Sequence, residues 1–537
     1  MAAKDRREDW FLAPHERGNP DSDIDRRRAD GRAYTEGNLA IPRIHGATYF
    51  ARLLEVILEL GEGDWIHFTD WRGDADERLD GPGTEIVKVL ADAARRGVEV
   101  RGLVWRSHPD QTKFSEQESL HFAKTINRSG GEVLLDERVR QGGSHHQKLF
   151  LIRHPGDENQ DIAFVGGIDL CHSRRDDERH EGDPQAWDMN ETYGPTPAWH
   201  DIQLELKGPA IGDLAHTFRE RWDDPTPLDH QNPWRIAMAR RAGQPRHPDP
   251  LPDMPEDPDP AGPHAVQVLR TYPKKTRQRY PFAREGERSI ARAYLKALKR
   301  ARRLIYVEDQ YFWSEEVAAS LGEALKEQPT LHLIALLPLM PEQEGVVSET
   351  PERLGQKKAW DVVRKAGGER VALYGVENDA GRPIYIHAKA CVMDDVWAMI
   401  GSDNLNRRSW THDSELSCAV LDDTRDGREP RDPAGLGDEA RRYARDLRLT
   451  LWREHLGVSA DDFDLLDPRS AYDAWSAAAD RLEEWKKSGK QGPRPSRVVR
   501  HEPPDVPRGH RVWAEPAYRY LVDPDGRPRR LRKRGEF

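Results

Sequence analysis

Residues Ile384–Trp410 read IYIHAKACVMDDVWAMIGSDNLNRRSW. Apolar and β-branched side chains run from Ile384 to Met393, Asp394-Asp395 supplies turn residues, and Val396 to Ile400 resumes the apolar run. That pattern predicts strand, tight turn, strand. Residues two apart on a strand share a face, so His387 and Lys389 are expected to point the same way. Gly401-Ser402 permits a sharp bend that presents Asn404 and Asn406. An imidazole, an ammonium and a carboxamide on one face can hold and attack a phosphate. Without a ligand, so polar an insertion in an apolar sheet is unfavourable.

An earlier stretch has the same plan. Gln141–Leu170 reads QGGSHHQKLFLIRHPGDENQDIAFVGGIDL, with His146 and Lys148 two apart, a second strand at Ile162–Val165, then Gly166-Gly167 and Asp169. One His-x-Lys means little in a chain with 21 histidines. Two copies, each leading to a second strand and a Gly-Gly or Gly-Ser turn, indicate duplicated half-sites. Around each copy, helices alternate with buried strands in the same order, from a helix at Gly46 (Phe50, Leu53, Ile57) in the first half and one at Gly286–Arg302 in the second. The expected fold class is α/β: two similar sheet-and-helix domains in a pseudo-twofold arrangement with the active site at their interface. The boundaries fall at 1–40 (a polar segment with a docking Trp10-Phe11-Leu12 patch), 41–224 (first half), 225–262 (Pro-rich linker), 263–460 (second half) and 461–537 (a helix and a basic Pro/Arg-rich tail). Residues 171–200 form a long polar insertion, either a loose loop or a lid.

The chain has 537 residues, enough for two packed cores. Charged residues make up 33% and hydrophobic ones 36%, as in a soluble globular protein. The net charge of −11 argues against coating nucleic acid, although six of the eight residues Arg527–Arg534 are basic. Three cysteines without metal-ligand spacing make a disulfide framework or zinc site unexpected. The first twenty residues lack a signal-peptide core, and no later run reaches membrane-span length, so a cytoplasmic monomer, peripheral at a membrane surface, is expected.

The two copies resemble the phospholipase D superfamily, whose signature is a duplicated HxKxxxxD motif. HAKACVMD from His387, followed by GSDN, matches fully; HQKLFLIR departs at Arg153, where the family has Asp. By strand parity that side chain faces away from the site, so the departure touches a structural contact before it touches chemistry. AFVGGIDLC, PAWHDIQLELKGPA, RRLIYVEDQYF, DSELSCAV and LRLTLWREHLG are similar to the catalytic core of eukaryotic-type members, from about Gly46 to Gly457. No room is seen for the lipid-binding accessory domains that accompany that core in eukaryotes.

A phosphodiester needs its charge neutralised, a nucleophile, and a proton for the leaving alkoxide. Lys148, Lys389, Asn404 and Asn406 are expected to surround the phosphoryl oxygens. One histidine attacks phosphorus to form a phosphohistidine and the other serves as acid, then base. The residues themselves leave the two roles interchangeable; the resemblance assigns His146 as nucleophile and His387 as acid/base. Asp201 and Glu415 are the candidate acids that orient the imidazoles. Asp169, Ser402, Glu308 and Gln310 are expected to line the substrate site. No metal or cofactor is expected, since no acidic cluster has two-metal spacing. The implied substrate is a phospholipid such as phosphatidylcholine, with no nucleic acid. The alternatives are a cardiolipin-synthase-like phosphatidyltransferase, a nuclease of the same superfamily, or a non-catalytic membrane-surface scaffold.

Overall fold

The computed structural model describes residues 7–106, 116–228, 236–237, 241, 243, 245–342 and 346–537. Its first half supplies β1 (Thr35–Ile44), β2 (Trp65–Asp70), β3 (Glu99–Trp105), β4 (Glu132–Asp136), β5 (Leu149–Arg153), β6 (Ile162–Gly166), β7 (Ala198–His200) and β8 (Ile202–Lys207). Its second half supplies β9 (His264–Tyr272), β10 (Glu287–Arg288), β11 (Leu304–Glu308), β12 (His332–Leu336), β13 (Val371–Val376), β14 (Ile384–Ile386), β15 (Ala390–Met393), β16 (Trp397–Gly401) and β17 (Glu415–Asp422). A last strand, β18 (Val498–Arg500), follows the helix Pro468–Lys487.

Sixteen of these strands form one sheet in the order β18-β13-β12-β11-β15-β16-β17-β9-β1-β8-β6-β5-β2-β3-β4, with β10 beside β9. Outward from the central β9–β1 pair, both halves show one succession. Three antiparallel neighbours lead to the strand after the His-x-Lys, and three mutually parallel strands (β2-β3-β4 or β11-β12-β13) lie beyond it. The expected pseudo-twofold therefore runs through the β1–β9 seam, where Thr35 faces Val266 and Asn38 faces His264. The parallel strands are mostly apolar along their centres, with polar residues such as Glu99, Glu132, Asp136 and Glu308 at their ends, because helices cover both faces. Helices Gly46–Glu59, Ile86–Arg95 and Glu116–Asn127 cover one face of the first half; Ser289–Arg300, Glu315–Glu327 and Val346–Gly367 take the matching place in the second. On the other face, Ala210–Trp222, Arg442–Leu456 and Pro468–Lys487 share a core that crosses the seam without a break, from Leu134 and Phe218 to Trp452 and Trp475. Among the described residues, no helix is long and apolar enough to cross a membrane.

The first and last described segments are both anchored. Trp10, Phe11 and Leu12 are buried against the helix Ser289–Arg300, and β1 begins at Thr35, ahead of the boundary drawn at residue 40. The segment expected as a basic tail is instead docked. Here β18 extends the sheet beside β13, Arg527 is buried against Glu316 and Asp525, and Phe537 packs on Trp410. Apolar anchors (Val498, Val506, Tyr518, Leu531, Phe537) are interspersed among its charges, and a count of basic residues conceals them.

The last motif position is structural in both halves. Asp394 accepts hydrogen bonds from the backbone N–H groups of Arg302, Arg303 and Leu304 (2.6, 2.8 and 2.8 Å), tying the β15–β16 turn to the start of β11. Arg153, its counterpart, is buried, pairs with Asp161 and donates to the Glu256 carbonyl at 2.6 Å. The Arg153→Asp variant, which restores the family residue, is expected to lower stability by ~3–5 kcal/mol by placing two carboxylates together in a buried site. Denaturant unfolding measures this, and an unchanged midpoint would refute it.

Candidate active site

The strand expected through Ile384–Met393 is broken. β14 leaves the main sheet to pair with β7, and His387, Ala388 and Lys389 span the gap to β15. The cause is a competing backbone partner, because His387 N and Ala388 N both donate to the His200 carbonyl across the seam (2.8 and 3.1 Å). The first copy repeats the arrangement: His146 precedes β5, and its N–H donates to the Ser414 carbonyl at 2.9 Å. Each lysine then curls back on its own histidine. Lys148 Nζ donates to His146 O at 3.0 Å, and Lys389 Nζ to His387 O and to Gln310 Oε1 (3.3 Å).

The acids cross in the same way. His387 Nδ1 is 2.6 Å from Asp201 Oδ2 of the first half, and His146 Nδ1 is 2.8 Å from Glu415 Oε2 of the second. Both carboxylates are fully buried. A carboxylate at Nδ1 fixes the N–H there and leaves Nε2 as the basic nitrogen of the neutral ring. Glycine is required nearby, since a Cβ at Gly167 would collide with the Asp201 carboxylate and one at Gly401 with Ser417.

One cleft collects the remaining groups. Lys148 Nζ lies 3.2 Å from Asp169 Oδ1, and Arg174 Nη2 lies 3.4 Å from Asp169 Oδ2. Asp70 is hydrogen-bonded to Asp169; burial and the Asp169 charge push Asp70 far up. Against the upward push of burial, Lys148 and Arg174 hold Asp169 below the usual range, so the pair shares one proton. His146 adds to that field on Asp169, and the fields of Asp169 and Lys148 both reach His387, which ties the two half-sites electrostatically. Burial, with the Lys389 and Arg174 cations, holds His387 well below its ordinary value, which favours the neutral ring. Burial also pulls Lys389 down to about 8, against the nearby Asp201 charge.

The expected site residues divide. His146, Lys148, His387, Lys389, Asp201, Glu415 and Asp169 come together; Asn404, on the β16–β17 connection, is buried with its Oδ1 unpartnered among the described residues. Gln310 bridges Lys389 and the Tyr385 hydroxyl (2.8 Å). Three expected substrate contacts have other partners. The Glu308 carboxylate is occupied by His200 (2.8 Å), His455 (2.9 Å) and the Tyr306 hydroxyl (2.6 Å), because β11 alternation turns it to the opposite face. Asn406 caps the helix Arg407–Thr411, accepting from Ser409 N at 2.7 Å. Ser402 donates to Glu415 Oε2 at 2.6 Å and so orients an acid.

Other groups escaped the sequence. Within the 171–200 insertion, Arg174 is buried with its guanidinium 4.1 Å over Trp199 and 4.8 Å over Trp187, and the Trp199 ring lies 4.9 Å from His387. Asp176 holds the insertion in place, accepting from Trp199 N (2.7 Å) and Gly182 N (3.0 Å). An aromatic cavity of about 310 Å³, lined by Trp71, Gln310, Tyr311, Trp313, Glu352 and Tyr385, adjoins the cleft. Two buried groups, His45/His180/His200/Glu454 and His200/Glu308/His455, have donor atoms close enough to hold a metal ion. They lie on the seam under the His200 carbonyl and are internally ion-paired. Their members run from residue 45 to residue 455, so no local spacing betrays them.

The family model described as Phospholipase D matches residues 76–336 and 366–490, and the one described as Cardiolipin synthase, PLD-like domain, matches 294–426. The chain belongs to the phospholipase D family. It is 25% identical over 479 residues to phospholipase D alpha 2 of Oryza sativa subsp. japonica (70% of this chain, 54% of that one). It is 26% identical over 532 residues to phospholipase D alpha 1 of Arabidopsis thaliana (75% and 63%). The chain thus spans less than two thirds of the length of these relatives. Among solved structures, phosphatidylserine synthase of Haemophilus influenzae Rd KW20 aligns with a TM-score of 0.47 at 12% identity, covering 72% of this chain and 85% of that one.

The Lys389 position near 8 has a consequence for anion binding. Its ammonium attracts an anion and its free amine does not, so affinity for a dialkyl phosphate, singly charged throughout, is expected to fall as pH rises through about 8. Lys389→Arg should abolish that fall. Titration calorimetry across pH tests this; an unchanged profile in the variant would exclude Lys389 as its source.

Proposed function

We propose that the chain is a phospholipase D-type phosphodiesterase acting as a monomer at a membrane surface. It hydrolyses the head-group phosphodiester of glycerophospholipids such as phosphatidylcholine to phosphatidate, and passes the phosphatidyl group to a primary alcohol when one is present. One observation carries this reading: two His-x-Lys sets face one cleft, each imidazole held at Nδ1 by a buried acid from the opposite half.

His146 Nε2 attacks phosphorus, and the bond to the head-group oxygen breaks as His387 delivers a proton to that oxygen. Water, or an alcohol, then gives its proton to His387 and displaces His146. Burial and the neighbouring cations favour a neutral His387; the negative charge of a bound diester raises its proton affinity, so substrate and proton bind together. Lys148, Lys389, Arg174 and Asn404 balance the charge that builds on the phosphoryl oxygens. These donors supply the positive charge at phosphorus without a metal ion, and the buried histidine–glutamate groups belong to the seam. Arg153 does not favour a non-catalytic scaffold, because its partners, Asp161 and Glu256, are structural.

Phosphatidylcholine labelled in its phosphate, quenched with acid during turnover, should leave label on the wild-type chain, accumulate it on His387→Ala and leave none on His146→Ala. Label on the His146 variant alone would reverse the two roles. With ethanol present, phosphatidylethanol is the expected product; cleavage of single-stranded DNA instead would overturn the lipid assignment. EDTA is expected to leave single-turnover transfer unchanged, and loss with rescue by a divalent cation would place a metal in the step.

A further inference from the structure

We propose that the C-terminal segment builds a docking surface for an anionic lipid bilayer, a basic basin with an apolar ridge beside it. This goes beyond the chemistry at phosphorus, and most of the surface lies past residue 490, where the family match ends.

The basin is a cavity of about 1060 Å³ lined by Arg140, Lys275, Arg277, Arg407, Arg519 and Arg532. Among its described lining residues, Asp525 is the one carboxylate, and Arg527 already engages it (2.8 Å). Several of these cations lack a counter-charge. Arg277 and Arg532 make no ion pair among the described residues, and Arg140 donates to the carbonyls of Lys274 (2.6 Å) and Gly526 (3.2 Å). Lys275 is buried with its Nζ 3.8 Å over the Tyr280 ring and no hydrogen-bond partner among the described residues. A buried ammonium without an acceptor is unfavourable unless an anion completes the site. Burial pulls Lys275 down to about 8 against the opposing charges of Asp224 and Asp136, and burial with the Arg532 charge lowers Arg140 against Asp525. In a chain of net charge −11 such a concentration is local.

The ridge identifies the partner. Of the six large hydrophobic side chains exposed among the described residues, four lie here: Val512 (79% exposed), Trp513, Tyr520 (77%) and Leu521 (70%). Tyr520 also lines the basin, and the helix Arg529–Arg534 exposes further basic side chains next to it. A polyphosphate or nucleic acid would use the cations and leave the aliphatic tips in water. A bilayer takes both, phosphates on the cations and the interfacial layer on the ridge. The placement suits the cleft, since Arg140 lies six residues before His146 and Arg407 three after Asn404.

The test is co-sedimentation of the full chain with vesicles of phosphatidylcholine alone or mixed with phosphatidylglycerol. Wild type should pellet with the mixed vesicles, less so as salt is raised, and far less with phosphatidylcholine alone. Arg519→Glu/Arg532→Glu and, separately, Tyr520→Ser/Leu521→Ser should each weaken partition at least about tenfold with thermal midpoints unchanged. Wild-type binding by either variant, indifference to vesicle charge, or retention of single-stranded DNA lost in the arginine variant would overturn the proposal. Because binding is measured without turnover, its failure would leave the proposed chemistry untouched, and an inactive chain that still binds would leave this surface standing.

Discussion

Neither half of this molecule can operate its own histidine. The carboxylate that fixes the His387 ring belongs to the first half and the one that fixes His146 to the second, and the backbone carbonyls that position the two rings cross in the same direction. A hydrogen bond from Nδ1 to a buried acid decides which ring nitrogen is basic and where it points. The seam therefore has to be rigid, and the shared sheet through β1 and β9, with one core beneath both halves, makes it so.

The half-sites are equivalent in backbone but not in charge. Asp169 and the protonated Asp70 lie beside Lys148, whereas the residue that follows the matching Gly turn of the second half is the uncharged Asn404. Arg174, carried in by the insertion, adds a cation to the first half-site and reaches into the field of His387. This asymmetry distinguishes two histidines that the duplicated motif leaves interchangeable.

Much of this was legible in the chain. Period-two alternation and paired motifs located both half-sites, because strand geometry is local and His-x-Lys with its Gly turn is short. Asp201 and Glu415 were found as acids opening strands, although which histidine each serves depends on seam crossing. Glu308 was misplaced because residues one apart on β11 face opposite sides, and the face is set by partners, His200 and His455, distant in sequence. Asn406 looked like a donor but caps a five-residue helix. The continuous strand through His387 failed because a carbonyl 187 residues earlier competes for its N–H. The docked C-terminus was hidden by its charge, since a few well-spaced apolar side chains suffice to hold a basic segment down.

The exchange of acids has an evolutionary corollary. A duplicated gene ordinarily frees one copy to drift, yet here a substitution at Asp201 is felt by the histidine of the other repeat, and one at Glu415 by the first. The repeats are bound to co-adapt at those positions, whereas the last motif residue, Asp394 in one repeat and Arg153 in the other, serves neither histidine and differs between them.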